Sequence, residues 1–259
     1  MKIPEEIQKI AEVLQSKGFK AYLVGGCVRD LLLGLSNAEG LSRSPKDWDI
    51  TTDAKPEEIQ KIFPDSVYEN KFGTVGVKTG SNIPALKIVE ITTFRLEGKY
   101  TDMRHPDEVK FAKTIEEDLS RRDFTINSIA LNLGKSDFPI IDPYNGQKDL
   151  ENKIIRTVGE PSERLKEDAL RLMRAVRLAA ELGFKIEEKT AAAIKKEAGL
   201  LEMIAKERIR DELEKIIMSF DYGPTAGIRK LEELGLLKYV LPELREGIDV
   251  GQNKHHIYT

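Results

Sequence analysis

Lys46-Asp47-Trp48-Asp49-Ile50-Thr51 decides how the rest of the chain reads. Alternation along a strand puts Trp48 and Ile50 on one side and Asp47, Asp49 and Thr51 on the other. The two carboxylates are then roughly 6.6 Å apart along the strand, at about 3.3 Å per residue. With no basic partner beside them they repel each other unless a cation sits between them. Oxygen-only ligands suit Mg²⁺, and two such ions about 3.5–4 Å apart hold a triphosphate and a nucleophilic hydroxyl together. An isolated Asp-x-Asp is more often an acidic pair on a solvated strand, so the flanking sequence has to choose.

Upstream, Pro4 to Lys17 has Ile7, Ile10, Ala11 and Leu14 at helical spacing, with Gly18 placed to end the helix. Phe19 to Val24 is an apolar run of strand length. Gly25-Gly26-Cys27-Val28-Arg29-Asp30 follows, and Leu31 to Leu33 continue as a helix up to Gly34. A strand, two glycines and a helix start make a phosphate site: the backbone approaches the anion closely and free N–H groups point at it. Arg29 adds a positive fork for phosphate oxygens. Alone, Gly25 and Gly26 are just as well a tight turn. Followed closely by Asp-x-Asp, they supply the triphosphate half of a site whose other half holds metals.

Downstream, Asn37 to Pro45 is a polar loop, Pro56 to Phe63 a short helix, and Val67–Lys78 and Ala85–Phe94 two paired strands. Glu90, on the Ile88/Thr92 side, is either a third carboxylate behind the metal pair or an exposed strand residue. Leu96 to Val109 is a long polar connection, a length that in compact domains often serves function. A short helix at Ile115–Leu119 leads to Arg121-Arg122-Asp123-Phe124-Thr125-Ile126-Asn127. Arg122, Asp123 and Asn127 suit phosphate and ribose hydroxyls, or else form a helix-capping cluster with surface ion pairs. Ile140–Pro143 reads as the final strand.

From Ser162 the chain reads as almost wholly helical, over 162–182, 187–200, 205–220 and 224–234, with the boundary near Val158–Pro161. In the first of these helices Asp168, Arg171, Arg174 and Arg177 recur every three residues, opposite Leu170, Met173 and Val176. Such a stripe is ordinarily a solvated face. Its chemistry also fits base selection. Cytosine and adenine pair an amino donor with an unprotonated ring nitrogen, whereas guanine and uracil offer a carbonyl beside a ring N–H. An Asp168/Arg171 pair accepts the first pattern and leaves polar groups unpaired with the second.

With 259 residues, 40% hydrophobic and 33% charged, the chain suffices for one large or two small domains. A net charge of −3 gives no overall attraction to nucleic acid, so RNA contact requires a local basic patch. The single cysteine, Cys27, excludes an internal disulfide and fits a reducing cytoplasm. No apolar run approaches the roughly 20 residues of a membrane span, and no signal-peptide core is evident.

The ordered set GGCVRD, DWDI, RRDFTIN and EDALRLMRAVR, spanning about Ala21 to Leu241, resembles the class II tRNA nucleotidyltransferases. These are the CCA-adding enzymes, grouped with bacterial poly(A) polymerases in the polymerase-beta-like superfamily. The resemblance implies an α+β fold: a nucleotidyltransferase head with a small mixed sheet over 1–158, then an all-helical neck and start of a body over 159–259. It implies Mg²⁺ on Asp47 and Asp49. It implies nucleotide contacts from Gly25, Gly26, Arg29, Arg122, Asp123 and Asn127, and base reading by Asp168 and Arg171. Arg174 and Arg177 would supply charge near the triphosphate or primer end. The implied substrates are CTP, ATP and the tRNA 3′ end. Glu97–Val109 resembles the loop tied to the switch to ATP. An A-adding specialist, a poly(A) polymerase and a non-catalytic RNA-binding module are the rival readings. Asn37–Pro45 is longer than the family's usual link. The chain ends at His255-His256-Ile257-Tyr258-Thr259, where the family continues into body and tail helices, so truncation is expected.

Overall fold

The computed structural model describes residues 2–36, 45–68, 73–98, 109–135, 137–219 and 223–247, which fall into two compact units divided after Asn152. In the first unit, α1 (Glu5–Ser16) buries Ile7, Ile10, Ala11 and Leu14. β1 (Ala21–Val24) follows, then α2 (Gly26–Ser36), β2 (Asp49–Thr52) and α3 (Pro56–Ile62). Next come β3 (Ser66–Tyr68), β4 (Thr74–Lys78), β5 (Ile88–Thr93), and the hairpin β6 (Arg95–Glu97) and β7 (Val109–Phe111). α4 (Ile115–Ser120), β8 (Ala130–Asn132), β9 (Ile140–Ile141) and α5 (Gly146–Glu151) complete the unit.

Seven strands form one mixed sheet in the order β3-β4-β5-β2-β1-β8-β9, with β2 and β5 parallel and the other neighbours antiparallel. Side chains alternate between its faces. Ile50, Val75, Val77, Val89 and Ile91 are buried on one face, a core on which α3 packs. The other face carries Asp49, Thr51, Thr74, Glu90 and Thr92. Here the Thr51 hydroxyl donates to the Thr92 carbonyl (3.1 Å), and the Thr74 and Thr92 hydroxyls bond each other (3.1 Å). β1 is buried throughout, with α1 and α2 against it.

The second unit contains β10 (Ile154–Ile155), α6 (Pro161–Glu167), α7 (Arg171–Leu182), β11 (Lys185–Ile186), α8 (Glu188–Glu197) and a 3₁₀ segment Ala198–Met203. α9 (Lys206–Ile217), α10 (Gly223–Glu233), α11 (Leu237–Val240) and α12 (Pro242–Glu246) follow. The α+β class and the small mixed sheet hold.

Several local readings are corrected. The unit is not all-helical, because β10 and β11 pair in parallel, and Ile140–Ile141 is therefore not the last strand. The expected strand Val67–Lys78 is a hairpin of β3 and β4; Gly73, at φ +88°, leaves the extended region just before β4. The expected Ala85 strand start is a 3₁₀ turn opened by Pro84. α2 runs through Gly34, an interior glycine costing only about 1 kcal/mol. The expected helix 162–182 is two helices broken at Asp168, whose φ of −136° and ψ of 103° are extended. The Asp168 carboxylate accepts from the Leu170 N–H (3.1 Å) and so competes with the helical pattern. Of the Asn37–Pro45 loop only Pro45, and of the Glu97–Val109 loop only its ends, lie within the described residues.

Candidate active site

The strand holding Asp49 starts there, so Asp47 lies on a bend before it rather than in the strand; Asp47 is exposed and Asp49 is half-buried. Trp48 between them is buried and anchors the bend. Burial pushes the Asp49 carboxyl up, Arg122 opposes this, and Asp47 pushes it further in the same direction. The absence of a basic neighbour expected from the sequence is thus corrected: Arg122 faces Asp49.

Both groups flank the turn between β1 and α2. A Cβ on Gly25 would stand 3.1 Å from Arg122 Nη1 and 3.8 Å from Asp49 Oδ2. Gly25 also has φ +83°, a conformation that side chains disfavour. The positive φ and the close approach of Arg122 both favour glycine there. Gly26 opens α2, and the Arg29 N–H donates to the Gly25 carbonyl (3.1 Å), the first turn of that helix.

Arg29 is held by Asp30 through Nε (2.9 Å) and donates from Nη1 to the Asn127 side chain (2.8 Å). Asn127 in turn donates to Asp123 (3.1 Å), whose same oxygen accepts from the Phe124 N–H (2.8 Å). The sequence-predicted Arg29, Asp123 and Asn127 thus form one network across 98 residues of separation. It fixes the direction of the Arg29 guanidinium.

Asp118, which sequence reasoning missed, governs Arg122. It is fully buried, and accepts from Arg121 Nε (3.0 Å), Arg122 Nη2 (3.3 Å) and the Arg95 N–H (3.2 Å). Burial alone would raise its carboxyl, yet Arg121 and Arg122 together hold it below the usual range. Its i,i+4 spacing from Arg122 was the available signal.

Glu90 pairs in register with Asp49 across the parallel β2–β5 ladder, but it is exposed. Among the described residues no three His, Cys, Asp or Glu side chains converge as a metal-binding group, so Glu90 is not gathered with Asp47 and Asp49. The donor set at the bend is therefore two carboxylates. That suits a hard cation that completes its shell with substrate phosphates and water.

In the second unit the predicted polar stripe divides. Arg171 is 7% exposed; its guanidinium bonds Glu167 (2.6 Å) and the Arg164 carbonyl (2.8 Å), and its N–H donates to the Asp168 carbonyl (2.9 Å). The Asp168 carboxylate instead lies against Arg208 of α9, at 3.3 and 3.4 Å. Arg177 donates to Glu212 (2.7 Å) and Glu181 (3.3 Å). Arg174 is half-buried. Glu167 was legible from its i,i+4 spacing to Arg171; Arg208 and Glu212, far along the chain, had no local signal.

The sequence profile described as "Poly A polymerase head domain" matches residues 21–156, and one described as "Probable RNA and SrmB-binding site of polymerase A" matches residues 183–248. The chain belongs to this family, that of the class II tRNA nucleotidyltransferases. Among curated relatives, the CCA-adding enzyme of Lactobacillus helveticus is 48% identical over 83% of this chain and 51% of its own length. That of Ligilactobacillus salivarius is 46% identical over 92% and 55%. A crystal structure of the Bacillus stearothermophilus CCA-adding enzyme with CTP superposes with a TM-score of 0.78 at 41% identity, covering 93% of this chain and 54% of that one. The Thermotoga maritima CCA-adding enzyme complexed with tRNA gives 0.71 at 28% identity, over 92% and 52%. The chain thus spans about half the length of these family members.

Proposed function

We propose that this chain is the catalytic part of a template-independent nucleotidyltransferase that adds C and A from CTP and ATP to the 3′ end of tRNA. The observation that carries this reading is the Gly25 turn, flanked by Asp49 and Arg122 and opening α2. The likeness to CCA-adding enzymes over more than nine-tenths of the chain supports the product.

Asp47 and Asp49 would hold Mg²⁺, which when bound lowers the pKa of the attacking 3′-hydroxyl and neutralises charge on the leaving pyrophosphate. The Gly25–Gly26 backbone and the start of α2 take the phosphates, as helix N-termini do. Arg29 and Arg122, pre-set by Asn127 and Asp118, add charge-assisted bonds without reorganising. Asp123 and Asn127 face the ribose through the same network. Asp168 and Arg171 read the base, with Arg174 and Arg177 adding positive charge. Glu90 stands aside as an exposed neighbour. Residues 1–158 act as head and 159–259 as neck and start of a body. A cytoplasmic setting fits the lone, buried Cys27 and a structure in which no described helix is long and apolar enough to cross a membrane.

Single-turnover extension of tRNA transcripts ending before CCA, after C and after CC tests the reading with CTP, ATP and Mg²⁺. Two C additions and then one A are expected. A single A on the CC-ended transcript alone would mean an A-adding specialist. An open-ended A tail would mean a poly(A) polymerase, and no addition by any transcript would overturn the enzymatic reading.

A further inference from the structure

Arg122 stands between two carboxylates of the first unit. The point where a Gly25 Cβ would stand is 3.1 Å from Arg122 Nη1 and 3.8 Å from Asp49 Oδ2, so guanidinium and carboxylate share one small space that glycine leaves open. Yet the ion pair Arg122 makes is with Asp118, from Nη2 (3.3 Å); among the described residues it makes none with Asp49. The hold is slight, because Arg122 Nε is buried and has no hydrogen-bond partner among the described residues. An arginine bonded through one nitrogen gains by turning to a carboxylate that accepts two of its N–H groups. Asp49, across the Gly25 gap, offers that. What opposes the turn is the charge of Asp118.

Asp118 is fixed firmly enough to oppose it. It is fully buried on α4, a helix pinned by Ile115 and Leu119 in the apolar cluster that includes Tyr22 and Phe94. Its Oδ1 accepts from Arg121 Nε (3.0 Å) and from the Arg95 N–H (3.2 Å), which leaves Oδ2 for Arg122. We infer that Asp118 keeps Arg122 from closing on Asp49, and so leaves Asp49 open to a divalent cation. Without the Asp118 charge Arg122 turns to Asp49, and arginine and metal compete for one carboxylate. Asp118 is then a positioning residue that acts on metal binding through Arg122, from outside the site. This deepens the proposed function and rests on it for the assignment of Asp49 to the metal.

Mn²⁺ titration of the folded chain at 20 °C, followed by the electron paramagnetic resonance of the free ion, reads metal affinity without any nucleotide transfer. Asp118→Asn keeps the shape of the side chain and removes its charge. It should raise the Kd for Mn²⁺ about tenfold, the low end of what a close opposite charge does to a carboxylate. The Mg²⁺ concentration for half-maximal addition should rise with it, and the loss of rate should shrink as Mg²⁺ increases. Asp118→Glu, which keeps the charge, should bind Mn²⁺ as the unaltered chain does. The decisive comparison is a double-variant cycle. In an Arg122→Gln background, with no arginine to close on Asp49, adding Asp118→Asn should leave the Kd unchanged. An equal penalty in both backgrounds would make Asp118 a structural support only and overturn the inference. If Asp118→Asn does not fold, Arg122→Gln alone decides: Mn²⁺ should bind severalfold more tightly, and weaker binding would overturn the inference. So would undetectable Mn²⁺ binding by the unaltered chain. If the cycle comes out as expected but no transcript is extended, the proposed function fails and the role of Asp118 stands.

Discussion

The two charged clusters of this molecule are built on opposite electrostatic terms. In the first unit Asp49 is half-buried beside a single arginine, with a second carboxylate close by, and its ionised form is disfavoured. In the second unit the stripe is answered charge by charge: Arg171 by Glu167, Arg177 by Glu212, Asp168 by Arg208. A carboxylate whose charge is only partly offset is one that an arriving cation stabilises. A compensated stripe holds its shape beforehand and must exchange a protein partner for a ligand. The first arrangement favours chemistry, the second selection.

The contrast breaks most visibly under substitution. Asp49→Asn should lower single-turnover addition by more than about 100-fold, the upper end of what removing a group behind a metal ligand costs. Its melting temperature at pH 7 should not fall, because the group removed is one whose charge the fold disfavours. A large loss of stability in this variant would erase the distinction between the clusters. Glu212→Gln should behave in reverse. Glu212 is nearly fully buried and carries both Arg177 and Lys215 (3.1 Å), so its loss leaves the half-buried Arg177 with Glu181 alone. A cost of about 3 kcal/mol is expected. For a chain of this size that lowers the melting temperature by roughly 6–12 °C, while nucleotide addition at 20 °C persists.

Asp118→Asn sharpens the picture inside the first unit. The Asp118 carboxyl is held below its ordinary value in the folded chain, so it stabilises above the unfolded pKa of about 3.9 and loses that contribution as pH falls through the folded value. Denaturant midpoints should therefore separate the unaltered chain from the variant by about 1.5–3 kcal/mol at pH 7. They should converge on acidification below about pH 4. A gap that stays constant with pH would mean that Asp118 acts by shape alone. The smallest effect concerns Cys27 in the first turn of α2, whose thiol is pushed up to about 12 by burial. An aromatic disulfide reagent at pH 8 should leave it untouched in the folded chain and titrate one thiol in denaturant. Fast reaction under native conditions would show that the β1–α2 turn opens readily.

Legibility from sequence followed the distance between partners. The β1–Gly25–α2 turn and the acidic pair are encoded within a few residues, and both are legible there. Even so, alternation alone carries the strand back to Lys46, because it does not reveal that a buried Trp48 anchors a bend. Nothing in Glu167–Arg177 signals the break at Asp168: each residue suits a helix, and the interruption depends on Leu170 and on Arg208, forty residues away. The register that sets Glu90 beside Asp49, and the buried grip of Asp118, belong to the assembled sheet and core. Chemistry-bearing residue types were visible, but the second partners that fix their direction mostly were not.

β1 sits between β2 and β8, and the Gly25 N–H donates to the Ile129 carbonyl (3.4 Å). One of β1's neighbours is thus made soon after it and the other more than a hundred residues later. On a growing chain, β1 finds β2 first, and the β1–α2 turn stays unclosed until Ala130–Asn132 arrives to pair beside it. Such long-range pairings come late in folding. The part of the molecule easiest to recognise in the sequence is therefore among the last to take shape.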